Sequence, residues 1–161
     1  MIHIPSTARV LFFQYPTLLS RPLQTILIPW RLLAFPFHVC MLLCVADYRE
    51  KLVVRSSLSQ GYTETEYLDA MSSANFAIAA SIASLFIVMI GFLSGRTIQH
   101  ETLNVLHCVS HSLAGSLLFA VWIYEAHAVR IWHIWYFWGF PPAFLEVLVV
   151  CRTIRQGIFV W

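Results

Sequence analysis

A chain of 161 residues with 59% hydrophobic and only 11% charged residues cannot cover a globular surface with water-compatible groups, because soluble domains carry about a quarter charged residues. Its apolar runs reach the roughly 20 residues that cross about 30 Å of hydrocarbon, so the class is an integral membrane protein of one domain's length. A net charge of +2 is too small to imply a nucleic-acid partner, and four cysteines (Cys40, Cys44, Cys108, Cys151) in or beside apolar spans, with no CxxC spacing, do not read as a disulfide framework.

Residues 1–25 carry Arg9 and Arg21 and no acid, and Pro5, Pro16 and Pro22 break any helix there. They read as a disordered extension, either a cytosolic tail or an overextended start. A transit peptide is the alternative that the acid-free, Arg-bearing composition offers. The first span is expected over 26–46, with Pro36 as a kink and Arg31 snorkelling to the interface. Residues 47–73 are the most polar stretch and form the longest loop.

The second span, 74–93, is uncharged and rich in small residues. Ala79 and Ala83 are four apart, as are Gly91 and Gly95, a spacing that lets helix backbones approach in lipid. Ala and Ser are also simply tolerated in membrane helices, and Gly91 and Gly95 sit where they can shape an exit turn. The third span, 105–124, places His107, His111 and Gly115 on one helix face, with Ser112 one step round. The fourth, 131–151, opens with Trp132, Trp135, Tyr136 and Trp138, as suits a headgroup interface. Pro141-Pro142 then breaks or kinks it, and Glu146 follows one turn later. A short cytosolic tail covers 152–161. The fold class is therefore all-α, a four-helix transmembrane bundle. Arg and Lys divide six to four in favour of the side that holds both termini, which points to cytosolic termini.

His107 and His111 offer two nitrogens to a metal or haem, but no multi-histidine box completes such a site, and imidazoles bonding across helices account for them. Gly91-Phe92-Leu93-Ser94-Gly95 matches no serine-nucleophile motif. Glu146 is the sharpest single residue, because an ionisable group inside a span is costly. A proton relay, a neutral acid bonded to the Pro-broken backbone region and a pairing with histidine all remain open for it. No catalytic, cofactor-binding or metal-binding residue is expected, and no cofactor.

The order of these features resembles the transmembrane protein 107 family over about residues 29–151. Gly91 to Gly95 is similar to the family's exit from the second span, and His111-Ser112 to its histidine followed by small residues in the third. The aromatic run from Trp132, and Pro142-Ala143-Phe144-Leu145-Glu146, resemble its fourth span. Tyr62 to Tyr67, Pro29-x-Arg31 and His38 resemble its earlier segments. The first 25 residues and a tail without a Lys cluster depart from the pattern.

The resemblance implies a non-enzymatic membrane scaffold of the ciliary transition zone, part of a Meckel-type complex that helps build the cilium and gates its membrane proteins. Its implied partners are other transition-zone membrane and scaffold proteins and the lipid bilayer, with no nucleic acid and no small-molecule substrate. Gly91, Gly95, His111, Ser112, Pro142, Ala143 and Glu146 are then helix-packing or partner-contact residues. The competing reading is a small membrane redox or proton- or solute-translocating subunit that uses His107, His111 and Glu146.

Overall fold

The computed structural model describes residues 21–155 apart from Arg96 and Gln99, and only the backbone of residues 21–24. Of the extension expected over 1–25, residues 1–20 lie outside the described residues, as do Arg96 in the charge count and residues 156–161 of the tail, whereas 21–25 form the start of the first helix, with Pro22 in its first turn where it does not break it. Helix α1 spans Arg21–Leu52 and continues into a π-helical turn, Val53–Ser57. Helix α2 spans Glu64–Leu93, α3 Glu101–Ile123 and α4 Val129–Ile134. A second π-helical segment, Trp135–Gly139, leads into α5, Phe140–Arg155. No strand occurs among the described residues. Four helical stretches are long and apolar enough to cross a membrane, the last being α4 and α5 joined.

The polar stretch 47–73 is mostly helix. Helical backbone runs on to Ser57 and resumes at Glu64, leaving 58–63 as the connection. A capping box explains the restart: the Thr63 hydroxyl accepts from the Glu66 amide while the Glu66 carboxylate accepts from the Thr63 amide at 2.8 Å. Pro29 and Pro36 both lie inside α1, and neither ends it. Pro141 and Pro142 do not break the fourth span in its middle. They lie inside one continuous helical stretch, Val129–Arg155, directly after a π-helical segment, and do not end it. The irregularity falls just before them, in the π-helical segment, where Trp135 Nε1 donates to Ser84 Oγ at 3.0 Å.

The outside is apolar. Leu33 is 73% exposed, and Phe76, Leu93, Phe119 and Phe144 are among many exposed large hydrophobics. A water-soluble protein hides such groups, whereas a bundle in lipid has no reason to. The inside mixes Leu42, Val45, Leu85, Leu118 and Ile131 with a set of polar side chains. All four cysteines are free.

Helix α1 packs chiefly on α3, and α2 on α5. The α1–α3 pair runs parallel, as Arg31 meets Asn104 and, seven residues on in both helices, His38 meets His111. Gly115 lets them approach: a Cβ there would lie 2.6 Å from Phe37 Cε1 and 3.4 Å from the His38 Cα. Gly115→Val is therefore expected to cost about 1–3 kcal/mol, the usual range for overpacking, read as a lower thermal midpoint in detergent. An unchanged midpoint would show that Phe37 swings out into lipid freely.

On the far side from the 94–100 connection, the Glu125 carboxylate ties the turn after α3 to α1. It accepts from the Tyr48 hydroxyl and from Arg55 Nη1 at 2.7 Å. The Tyr48 hydroxyl is the main reason that the Glu125 carboxyl sits below its ordinary value; partial burial opposes the shift and Arg55 reinforces it. A depressed folded-state value gives stability that is present above the unfolded value and lost as pH falls through the folded one. The difference in thermal midpoint between wild type and Glu125→Gln should thus be constant above about pH 5 and vanish in more acid solution. A difference that grows on acidification contradicts this assignment.

A buried polar ribbon that joins all four spans

Helical spacing brings the polar residues to one line. In α3, Asn104, His107 and His111 stand at i, i+3 and i+7, one face, and all are buried. In α1, Arg31 and His38 are seven apart, and each is 2% exposed. Glu146 of α5 is 1% exposed, and Thr97 of the connection between α2 and α3 is fully buried. The parallel packing of α1 on α3 lays these groups side by side.

The contacts form one chain. Arg31 donates from Nη1 to Asn104 Oδ1 at 2.9 Å and from Nη2 to Glu146 Oε1 at 3.3 Å. The Thr97 hydroxyl donates to the same carboxylate oxygen at 2.6 Å. His107 Nε2 lies 2.9 Å from Glu146 Oε2, and His107 Nδ1 lies 3.4 Å from His111 Nε2. His111 Nδ1 lies 3.0 Å from His38 Nδ1. Asn104 Nδ2 ties the ribbon to the connection through the Ile98 carbonyl at 2.6 Å. The arginine also lies over the Phe92 ring, 5.1 Å from its centroid. No buried side-chain nitrogen or oxygen among the described residues lacks a partner.

The charge balance is simple. One guanidinium and one carboxylate neutralise each other, with three imidazoles beside them. An unpaired charge away from water would cost several kcal/mol, so each of the two ions keeps the other in place. Arg31 does not snorkel to the interface: it is the counter-ion of Glu146. Of the three possibilities left open for Glu146, the structure shows the pairing with a histidine, joined by an arginine and a threonine.

The motif around Gly91 serves this site residue by residue. Gly91 is buried against Glu146, and a Cβ there would overlap the carboxylate atoms Oε1 and Cγ. Ser94 Oγ donates to the Gly91 carbonyl at 2.6 Å and closes the helix end. Gly95 has φ +69° and nothing within 4 Å of a Cβ placed on it, so within the chain it makes the turn and packs on nothing. That turn brings Thr97 back over Gly91. Of the other expected packing residues, Pro142 and Ala143 are buried in α5, the helix that packs on α2, and Ser112 is half-buried, accepting from Trp30 Nε1 at 3.2 Å. Ala79 and Ala83 face outward on α2, while Ala74, Ala77, Ser81, Ser84 and Gly91 form its inner face.

Arg31, His38, Thr97 and Asn104 were not among the expected site residues. Arg31 and His38 share a helical face, and a buried acid demands a buried cation, which together point to Arg31. Thr97 and Asn104 carry no comparable signal, since they flank a span rather than lie in its middle. No group of three or more His, Cys, Asp or Glu able to hold a metal occurs among the described residues.

A lipid-facing apolar exterior, four helical spans and an internally neutral polar ribbon define a multi-pass helical membrane protein. The TMEM107 family, described as "Transmembrane protein", matches residues 27–150. The chain belongs to that family. No curated protein and no solved structure matches it.

Proposed function

We propose that this chain is a non-enzymatic membrane scaffold of the ciliary transition zone, which helps to assemble the cilium and to gate its membrane proteins through helix packing with other membrane subunits. Membership of the TMEM107 family over 27–150 supports the place. The observation that carries the scaffold role is the ribbon itself. Glu146 bonds to Arg31 and to His107, and His107 in turn to His111, while Thr97 links the same carboxylate to the Gly91 carbonyl of α2, so the groups with chemistry to offer hold the spans together.

The partner contact falls on the outward face of α2, where Ala79 and Ala83 stand exposed four residues apart and allow another helix to approach closely. Both termini face the cytosol in this reading. A C-terminally tagged copy in ciliated cells should give a narrow ring just distal to a basal-body marker. A uniform endomembrane or mitochondrial signal would contradict the proposal. Ala79→Leu and Ala83→Leu should leave the purified protein folded and abolish co-purification of membrane partners. Unchanged co-purification would move the contact elsewhere.

A further inference from the structure

We propose that the cleft between α1 and α2 is a sterol site, in which the sterol hydroxyl bonds to the Arg31 guanidinium and the fused rings lie against Phe35, Pro36 and Phe92. Helix α1 packs chiefly on α3 and α2 on α5, so α1 and α2 leave a groove between them. Leu32, Phe35 and Pro36 of α1 and Val88, Met89 and Phe92 of α2 line it, with Arg31 as its one charged side chain. Leu32 is 50% exposed at the rim, so the groove opens on lipid. Its walls are held from behind. Phe35 stands edge-on to His111, ring centroids 5.5 Å apart, and Phe92 lies against the guanidinium. The groove measures about 220 Å³, less than the roughly 300–1,000 Å³ of pockets that enclose a drug-sized ligand. It therefore grips the ring end of a sterol and leaves the tail among the lipid chains.

This apolar groove holds a donor and an acceptor. A guanidinium carries N–H groups on Nε, Nη1 and Nη2. Arg31 uses Nη1 for Asn104 and Nη2 for Glu146, and no acceptor among the described residues meets Nε. No fully buried side-chain nitrogen there lacks a partner. Nε thus belongs to the small part of this 2%-exposed side chain that reaches a surface, and the surface that Arg31 borders is the groove. The acceptor is the Leu32 carbonyl. In a regular helix it takes the amide of the fourth residue on, which here is Pro36 and has no N–H. Leu32 and Pro36 both line the groove.

These groups select the occupant. Arg31 already has Glu146 as its counter-ion at 3.3 Å, so a neutral oxygen fits, and an anionic headgroup would bring one negative charge too many. A hydroxyl both donates and accepts, which matches the Leu32 carbonyl and the Arg31 Nε–H together, whereas a phospholipid ester carbonyl only accepts. A rigid ring system also loses less freedom on docking than an acyl chain does. The depth agrees. Trp30, next to Arg31, is 56% exposed, and tryptophans of that kind stand at the headgroup level. Phe92 is the last residue but one of α2. Phe35, Pro36, Val88 and Met89 lie about one turn deeper, where the rings of a sterol follow its hydroxyl.

The order Arg31-x3-Phe35-x3-Val39 also runs in the reverse sense of a short pattern proposed for cholesterol contact, with Phe at its aromatic position. That pattern is weak alone and counts here because Arg31 and Phe35 both line the groove. Binding leaves the ribbon intact: Arg31 keeps Asn104 and Glu146 and gains a bond on a nitrogen that neither of them uses. This inference stands apart from the scaffold reading and does not depend on where in the cell the protein sits.

Photolabelling of the full-length protein in phosphatidylcholine nanodiscs tests the site, with a cholesterol analogue that carries a diazirine on its rings and mass spectrometry to find the labelled residues. Label should fall on residues 32–36 and 88–92 and disappear with excess cholesterol. The 3α epimer, whose hydroxyl points the other way, should compete about three- to tenfold less well, the weight of one hydrogen bond. Met89→Trp fills the groove from a half-buried position and Leu32→Trp from its exposed rim. Both should lose the label, and at least one should keep the wild-type thermal midpoint in sterol-free nanodiscs. Label spread over the other lipid-facing surfaces, equal competition by the epimer, or label retained in a folded groove-filling variant would each overturn the proposal. So would a diazirine-bearing phosphatidylcholine that labels the same residues and resists excess cholesterol, since the groove would then hold an acyl chain.

Discussion

Gly91→Ala is expected to be the most damaging single-methyl change in the molecule. The new Cβ would occupy the space of Glu146 Oε1 and Cγ, and neither neighbour can yield cheaply. The glycine sits in α2, and Glu146 is fixed by Thr97, His107 and Arg31. Overpacking alone costs about 1–3 kcal/mol, and displacing the carboxylate from its cation adds the penalty of a separated buried pair. A loss of about 3 kcal/mol or more follows, measured as thermal or denaturant stability in detergent. Gly95→Ala is the control. It meets no atom, so only the left-handed backbone at φ +69° opposes it, a cost of about 1 kcal/mol. Equal effects of the two substitutions would refute the distinction drawn between a contact glycine and a turn glycine.

Glu146→Leu is the second large effect. It removes the acceptor of three donors and leaves Arg31 2% exposed with no negative partner. Breaking a buried ion pair by deleting one side costs about 3–5 kcal/mol. Glu146→Gln should cost less, because an amide oxygen still accepts from Thr97 and Arg31, but Nε2 of the amide faces a donating His107 and forces that ring to change tautomer. A stability order of wild type, then Gln, then Leu is expected from equilibrium unfolding in detergent. A leucine variant as stable as wild type would mean that the ribbon is incidental to the fold.

How far these features could be read from residues alone depended on what each had to meet. The four spans were legible because lipid imposes length and apolarity on every helix. Glu146 stood out because an acid in a span needs a reason, and His107 and His111 because they share a face. Arg31 was misplaced: near the start of a span an arginine can reach water, and only the packing of α1 on α3 turns it inwards to Asn104 and Glu146. Thr97 and Asn104 were silent because their roles come from a turn made by Gly95, whose geometry no periodicity encodes. The double proline was read as a break because proline denies a helix one hydrogen bond. The helix instead runs on through both prolines to Arg155, and the irregularity falls in the π-helical turn before them.

The prolines, the glycines and the ribbon combine in one physical picture. Small residues let α2 approach α5, Gly115 lets α1 approach α3, and the ribbon joins the two pairs through Arg31 and Glu146. In lipid there is little hydrophobic drive to hold helices together, so packing and interhelical hydrogen bonds must do so. A scaffold that binds its partners through an outer face requires that its inner face stay closed. The ribbon supplies that closure without leaving a net charge in the membrane.

A double-mutant cycle between Arg31 and Glu146 tests this picture most directly. Arg31→Met and Glu146→Met would be made singly and together, and unfolding would be followed in detergent. Each single change should cost about 3–5 kcal/mol, because each strands one buried ion. The double change should cost well under their sum, with a coupling of about 2 kcal/mol or more, because it removes both ions at once. Additive losses would show that the two groups do not hold each other in the folded protein, and the ribbon would not be what joins the spans.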